Sequence, residues 1–458
     1  MHIKSDIIIV GTGAAGLYCA LSFPKDKKIL MITKTSAEES DSFLAQGGIC
    51  VLNGDNDYDS FFEDTMKAGH FKNDILSVDT MIRTSPEIIK SLIGYGVKFD
   101  RKNGELAFTR EGAHSKPRIL YHKDITGKEI SGKLLKQIRK RKSITIIEHM
   151  TMLDIISRDN TCTGIVVSDK EGRIGTIEAD YVILATGGLG GLYEHSTNFR
   201  HLTGDAIAVA IKNNIDLENI SYIQFHPTAF YSKEPGRKFL ISESVRGEGA
   251  VLYNKNMERF VDELLPRDAV TEAIRKQMKS DKTEYVWLSM KNMGEEKIKK
   301  RFPNIYHYCL ERGYDVTKEC IPVTPAQHYL MGGIKVDLES KTSMNHLYAV
   351  GETSCNRVHG DNRLASNSLL ESLVFAKRAT ADIVSHYEPL NKTDVNVNLQ
   401  AYENLKKLED DYKKIVMEEI EKNKNNESNN SNENNENNKN NKKIENNKKI
   451  EGRNSIVR

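Results

Sequence analysis

"DIIIVGTGAAGLYCALSF", residues 6 to 23, decides the fold. Ile7 to Val10 form a short apolar run that reads as a buried strand, followed by a glycine-rich turn and an apolar helix to about Leu21. "KKILMIT" (27–33) supplies a second strand, which makes the opening of a βαβ unit. The turn has the form GxGxxG: Gly11 permits the tight turn, Gly13 lets the backbone approach a pyrophosphate, and Gly16 lets helix and sheet pack closely. The helix N-terminus then attracts the phosphates. The same stretch resembles a signal or membrane segment at first sight. Its glycines interrupt it, no basic region of the usual kind precedes it, and it falls short of the roughly 20 apolar residues a spanning helix needs. A soluble protein without membrane contact is expected.

The chain has 458 residues, enough for two or three domains. A formal net charge of only +2 argues against a dedicated nucleic-acid binder. Cys19, Cys50, Cys162, Cys309, Cys320 and Cys355 are scattered without a CxxC pair. Neither a metal site nor a disulfide framework is expected, and a reducing, cytoplasmic compartment fits.

Further along, a cluster of strands runs from about Ser143 to "ADYVILATGG" (179–188). From about Asn219 the texture changes: "QFHPTAF" (224–230), "SESVRGEGA" (242–250) and "LLPRDAV" (264–270) mix polar residues with Gly and Pro, as loops over a site do. "NHLYAVGETS" (345–354) returns to a strand-turn pattern, and "SNSLLESLVFAKRATADIV" (366–384) reads as a helix. The fold class is α/β. Residues 1–218 and 331–385 form a Rossmann-like nucleotide-binding domain, and 219–330 an inserted α+β capping domain. Residues 386–422 give a short C-terminal helical segment. The Asn/Lys/Glu-rich tract 423–458 has too few apolar residues to offset ordering and is expected to be disordered.

An Asp or Glu at the end of the second strand usually holds an adenosine ribose. Here the strand ends in Thr33 and Lys34, which weakens an NAD reading and offers a cation to a phosphate or ribose oxygen. "DYVILATGG" and "NHLYAVGET", taken with GTGAAG, resemble the three dispersed motifs of two-dinucleotide FAD proteins. In those proteins the acidic residue of the third motif, here Glu352, meets the ribitol. Ser366 or Asn367 is expected to cap the 366–384 helix, whose positive end would stabilise negative charge on a reduced flavin.

With "DSFLAQGG" (41–48) the resemblance becomes specific. "QFHPTA", "RGEGA", "LPRDAV", "PAQHYLMGGI", "LYAVGE" and "NRLASNSLLESLVF" follow in order, and the chain over roughly 5–385 resembles the flavoprotein family containing succinate dehydrogenase, fumarate reductase and L-aspartate oxidase. The resemblance implies FAD held by Gly11, Gly13, Ala14, Ala15, Gly16 and Lys34, and by Asp41, Ser42, Phe43, Leu44, Ala45, Gln46, Gly47 and Gly48. Thr151, Met152, Asp205, Glu352, Ser368 and Leu369 complete that implied set. Respiratory members carry a flavin-linked His just before AQGG; Asp41 stands there, which implies noncovalent FAD and speaks against an electron-transfer subunit docked to an iron-sulfur partner.

"TREGAHSKPRIL" (109–120) resembles the matching loop of the L-aspartate oxidase branch. That implies oxidation of L-aspartate to iminoaspartate by hydride transfer from Cα to flavin N5, with oxygen or fumarate as acceptor. The product would feed quinolinate synthase at the start of NAD biosynthesis. Members of this branch usually continue into a three-helix domain, so the C-terminal segment looks shortened. A soluble fumarate reductase or succinate dehydrogenase-like enzyme is the second reading. Polyanion binding by the loop and the Lys-rich tail is a third.

Such a substrate needs cations for two carboxylates, an acceptor for its ammonium, and a proton acceptor. Arg363 and His328 are candidates for one carboxylate, His226 and Ser242 for the other, with Gln224 and Glu243 lining the same pocket. Arg267 matches the family's proton-transfer arginine; because arginine does not deprotonate in proteins, an electrostatic clamp is the better reading. Glu111 is the expected partner of the ammonium, and Arg110, His114, Lys116 and Arg118 of the same loop have no assigned role.

Overall fold

A computed structural model of the protein describes residues 2–390 and 397–427. Five strands form a wholly parallel sheet: β1 (Ile7–Val10), β2 (Ile29–Thr33), β3 (Ile144–Glu148), β4 (Tyr181–Leu184) and β5 (Leu347–Ala349), in spatial order β5-β4-β1-β2-β3. The unbroken apolar runs of β1 and β4 follow from burial of both sheet faces. Ile7 and Ile9 point into one core with α1 (Ala14–Ser22) and α2 (Asn367–Ser385). Ile8 and Val10 point into a second, with the Asp205–Lys212 helix and an antiparallel layer, Thr151–Arg158, Thr161–Ser168 and Ile174–Glu178.

The order reverses at β1, where β2 lies on one side and β4 on the other. A crevice therefore opens at the carboxyl ends of these strands. Gly11 makes that opening: its φ is +115°, and a Cβ there would lie 2.1 Å from the Ala185 carbonyl oxygen just beyond β4. No other residue allows the two strand ends to sit so close.

Over the crevice stands a separate antiparallel sheet of Ile223–Phe230, Ile321–Leu330, Val286–Ser289 and Val251–Tyr253. It has its own core, in which Val270 and Ile274 of the Arg267–Asp281 helix meet Phe230, Leu252, Leu288 and Val323. Short strands Leu217–Glu218 and Gly333–Lys335 pair where the chain leaves and re-enters the parallel-sheet unit.

The C-terminal part differs from expectation. Residues 405–427 form one helix, running past the expected end at 422. Tyr412, Val416 and Ile420 bury one face of it in the second core, and Tyr412 Oη donates to the Leu153 carbonyl at 2.6 Å. That anchoring carries the helix into the polar tract, where Asn423 Nδ2 donates to the Glu419 carbonyl and Ser221 Oγ donates to Glu427. The rest of the tract expected to be disordered, 428–458, lies outside the described residues. Among the described residues no helix is long and apolar enough to cross a membrane.

Candidate active site

One cavity of about 1690 Å³, partly open to solvent, runs from the β1 turn to the underside of the capping sheet. Its long arm is walled by Gly11, Gly13, Ala14 and Ala15, by Asp41, Ser42, Leu44, Ala45, Gln46, Gly47 and Gly48, and by Lys34, Thr151, Met152, Asp205, Glu352, Ser368 and Leu369. Two expected contacts lie elsewhere. Phe43 turns its ring into the apolar core, because the short Asp41–Leu44 helix packs that face inward against the Thr126–Ile138 helix. Gly16 also sits behind the wall, where a Cβ would be 2.3 Å from the Gly11 carbonyl oxygen; its part is close packing.

Lys34 Nζ pairs with Asp205 Oδ2 at 2.8 Å and also reaches the His201 carbonyl, so the cation at the end of β2 is neutralised in place. Two half-buried carboxyls, Asp41 and Glu352, face the cavity. Asp41 accepts from the Phe199 amide through Oδ1 while Oδ2 has no hydrogen-bond partner among the described residues, and burial pushes its pKa up to about 7. Glu352 accepts from the Leu330 amide at 3.0 Å; burial, with Asp41 adding to it, pushes its pKa up to about 8. Protonated carboxyls at these points can donate to the hydroxyls and carbonyls of a dinucleotide. The narrow glycine turn, the long arm and these donors fit FAD.

At the other end of the cavity stand His226, His328, Arg267, Arg363, Ser242, Glu243 and Glu111. His226 Nδ1 accepts from the Thr228 amide, so a neutral ring carries its proton on Nε2, which has no hydrogen-bond partner among the described residues. Burial, then Arg267 and His328, hold its pKa well below the usual value. His328 binds Thr197 Oγ1 through Nδ1 at 2.7 Å, leaving Nε2 for the cavity. Glu243 lies between Arg267 (2.8 Å) and Arg246 (2.6 Å); burial opposes its charge, but the two guanidinium groups keep its carboxyl below the ordinary range.

Arg363 has no such counter-ion among the described residues. It donates to Ser368 Oγ at 2.7 Å and lies over the Tyr329 ring, with Nε unpartnered, and burial lowers its pKa to about 10. A buried cation without a carboxylate partner is an expensive arrangement that an anionic ligand relieves. Glu111 is 2% exposed, and each carboxylate oxygen accepts one hydroxyl, from Ser244 and from Ser366, both at 2.6 Å. Burial raises its pKa, the two serines oppose that, and Glu243 adds to it.

Residues 6–369 match the FAD binding domain family. L-aspartate oxidase of Clostridium perfringens is 51% identical over 417 residues, covering 91% of this chain and 94% of that protein. The chain belongs to the L-aspartate oxidase family. The L-aspartate oxidase of Clostridium acetobutylicum is 50% identical, over 87% of this chain and 92% of its own length. Among solved structures, a variant of E. coli quinol fumarate reductase FrdA has a TM-score of 0.81 at 30% identity, covering 90% of this chain and 75% of that one. Mycobacterium smegmatis Sdh1 in complex with UQ1 has a TM-score of 0.74 at 32% identity, with 89% and 72% covered. FAD is the cofactor of this member of the L-aspartate oxidase family.

Gln224 does not reach the cavity wall. Its amide is consumed behind it: Nε2 donates to Asn362 Oδ1 and the Arg363 carbonyl, and Oε1 accepts from Arg267 at 2.8 Å. It thus ties together Arg267 and Arg363, the two arginines that line this end of the cavity. Arg118, from the loop that set this family branch apart, is fully buried between Asp57 and Asp64, and Lys116 caps the Asn56 carbonyl. Ser244, Ser366 as a carboxylate partner, Arg246 and Thr197 escaped the sequence reading. Ser244 and Arg246 left a signal, since both lie in the SESVRGEGA motif (242–250) already singled out.

Proposed function

We propose that the protein oxidises L-aspartate to iminoaspartate, with oxygen or fumarate reoxidising a noncovalently held flavin and the product passing to quinolinate synthase in a reducing, cytoplasmic compartment. Bound FAD supplies the hydride acceptor for the substrate Cα–H. Arg363 receives one carboxylate with His328. His226 Nε2–H, Ser242 and Arg267 serve the other, and Arg267 acts as a clamp because Glu243 and Gln224 fix its guanidinium.

Glu111 receives the ammonium. Burial raises its proton affinity, which suits it to take the proton that the nitrogen must lose as the C=N bond forms. The observation that carries the reading is that Glu111 is held by two serine hydroxyls and paired with no cation among the described residues, whereas the other carboxylate at this end, Glu243, is already matched by Arg267 and Arg246. Fumarate and succinate have no group for it. Asp41, standing where respiratory members carry the flavin-linked His, supports noncovalent flavin.

Anaerobic mixing of the flavin-loaded protein with L-aspartate or succinate tests the proposal. Bleaching of the flavin near its visible maximum by L-aspartate is expected. Bleaching by succinate alone overturns it in favour of a soluble succinate dehydrogenase-like enzyme.

A further inference from the structure

One buried histidine in the Glu111 loop has no part in the reaction just described. His114 is 5% exposed and follows the left-handed Ala113, whose φ is 61°. Its ring nitrogens face two different structures. Nδ1 lies 3.0 Å from Arg118 Nη1, and a guanidinium only donates, so Nδ1 is an acceptor. The neutral ring therefore carries its proton on Nε2, which donates to the Ala365 carbonyl at 3.0 Å. Burial keeps the ring neutral, lowering its pKa to about 4. Arg118 is itself gripped by Asp57 at 2.9 Å and Asp64 at 2.6 Å, so the tautomer is fixed from behind.

The Ala365 carbonyl shares a peptide plane with the Ser366 nitrogen. Ser366 has φ 62°, a left-handed conformation that an L-residue abandons unless its surroundings hold it. From that backbone its Oγ reaches Glu111 Oε2 at 2.6 Å and accepts from the Gly48 amide at 3.2 Å. Rotating the Ala365–Ser366 peptide would swing the hydroxyl away from Glu111. Cys50 Sγ, 3.6 Å from the same carbonyl, is a much weaker donor.

We propose that His114 is a positioning residue for amine selectivity: by pinning the Ala365–Ser366 peptide it aims the Ser366 hydroxyl, and through it the Glu111 carboxylate, at the substrate ammonium. The inference rests on the proposed function, in which Glu111 meets that ammonium.

Two reactions of the flavin-loaded full chain separate the outcomes: L-aspartate oxidation, and fumarate reduction by a reduced viologen dye. His114→Leu removes both ring bonds, and kcat/KM for L-aspartate should fall roughly 10- to 100-fold, chiefly through KM, as expected for loss of aim in a charge-assisted contact. Fumarate reduction should change less than about threefold, since no ammonium is involved. His114→Gln offers an amide oxygen to Arg118 and an N–H to Ala365, and should restore L-aspartate oxidation to within about threefold of wild type.

His114→Asn, too short to span both partners, replaces the leucine variant if that chain does not fold. Equal loss of both reactions, no loss in the leucine or asparagine variant, or failure of both to fold and retain flavin overturns the proposal. So does selective loss in the glutamine variant. A wild-type flavin that L-aspartate does not bleach strikes instead at the proposed function, and is read before any variant is made.

Discussion

Ser366 gives its hydroxyl to Glu111, 2.6 Å away, and not to the helix it begins. It stands at the N-cap of α2, yet its side chain makes no cap bond. The first-turn amides of that helix have no intrahelical acceptor, and Ser368 and Leu369 present that turn to the flavin arm of the cavity. A serine at a helix start is thus shared out: its backbone opens the helix while its hydroxyl serves the carboxylate.

Ser366→Ala should therefore leave hydrogen exchange in the first turn of α2 unchanged, although an ordinary N-cap loss weakens a helix by about 1 kcal/mol. The effect should fall on the substrate end instead. A hydrogen bond to a charged group contributes about 1.5–3 kcal/mol, so kcat/KM for L-aspartate should drop by roughly tenfold or more. Exchange mass spectrometry and steady-state assays read the two effects separately. Faster exchange at 367–370 with unchanged activity would contradict this division of labour.

Glu111→Gln removes the anion while keeping the shape. Breaking a buried ion pair costs about 3–5 kcal/mol, so L-aspartate oxidation should fall by roughly 100-fold or more. Fumarate reduction should be spared, or improve, because a negative group leaves the wall that meets its carboxylates. The ratio of the two kcat/KM values is the measurement, and an unchanged ratio rules out Glu111 as the ammonium partner.

Gly188→Ala probes the cofactor end. A Cβ at Gly188 would lie 2.2 Å from Glu352 Oε1, closer than any real contact allows, so the carboxyl must move. The fold should survive, because the clash is with a side chain. Flavin occupancy, read as the visible-to-ultraviolet absorbance ratio after gel filtration, should fall well below that of the wild type. Full occupancy would show that Glu352 is dispensable for holding the flavin.

The two raised carboxyls predict a pH dependence for the flavin-stripped protein. Glu352 has its pKa raised from 4.5 to about 8 and Asp41 from 3.8 to about 7. Between those limits the folded chain binds more protons than the unfolded one, so stability is fully present below about pH 4 and is lost as pH rises toward 8. Denaturant midpoints measured across that window should decline for the wild type and decline less for Glu352→Gln. Equal slopes would contradict the protonated state.

Much of this was legible in the sequence where a signal is local. The strand–GTGAAG–helix unit could be read because backbone period and glycine chemistry lie within eighteen consecutive residues, 6 to 23. That His226, His328, Arg267, Arg363 and Glu243 line one cavity was legible from ordered motifs. What failed was long-range. Whether Gln224 faces the cavity depends on Asn362 and Arg363, 138 and 139 residues away. Ser366 read as a cap because local propensity favours one; its hydroxyl is claimed by a carboxylate 255 residues earlier. The polar end of the last helix was cut short because composition registers its asparagines but not the Tyr412, Val416 and Ile420 face that holds the preceding turns.

The strand Ile321–Leu330 joins the capping sheet to the cofactor arm. Its start pairs within the capping sheet, at Val323 with Val286. Its end carries His328, and the Leu330 amide donates to Glu352 beside the flavin arm. One unbroken strand of 10 residues therefore serves both ends, with Val323 in the core of the cap and the Leu330 amide on the carboxyl that faces the cofactor arm.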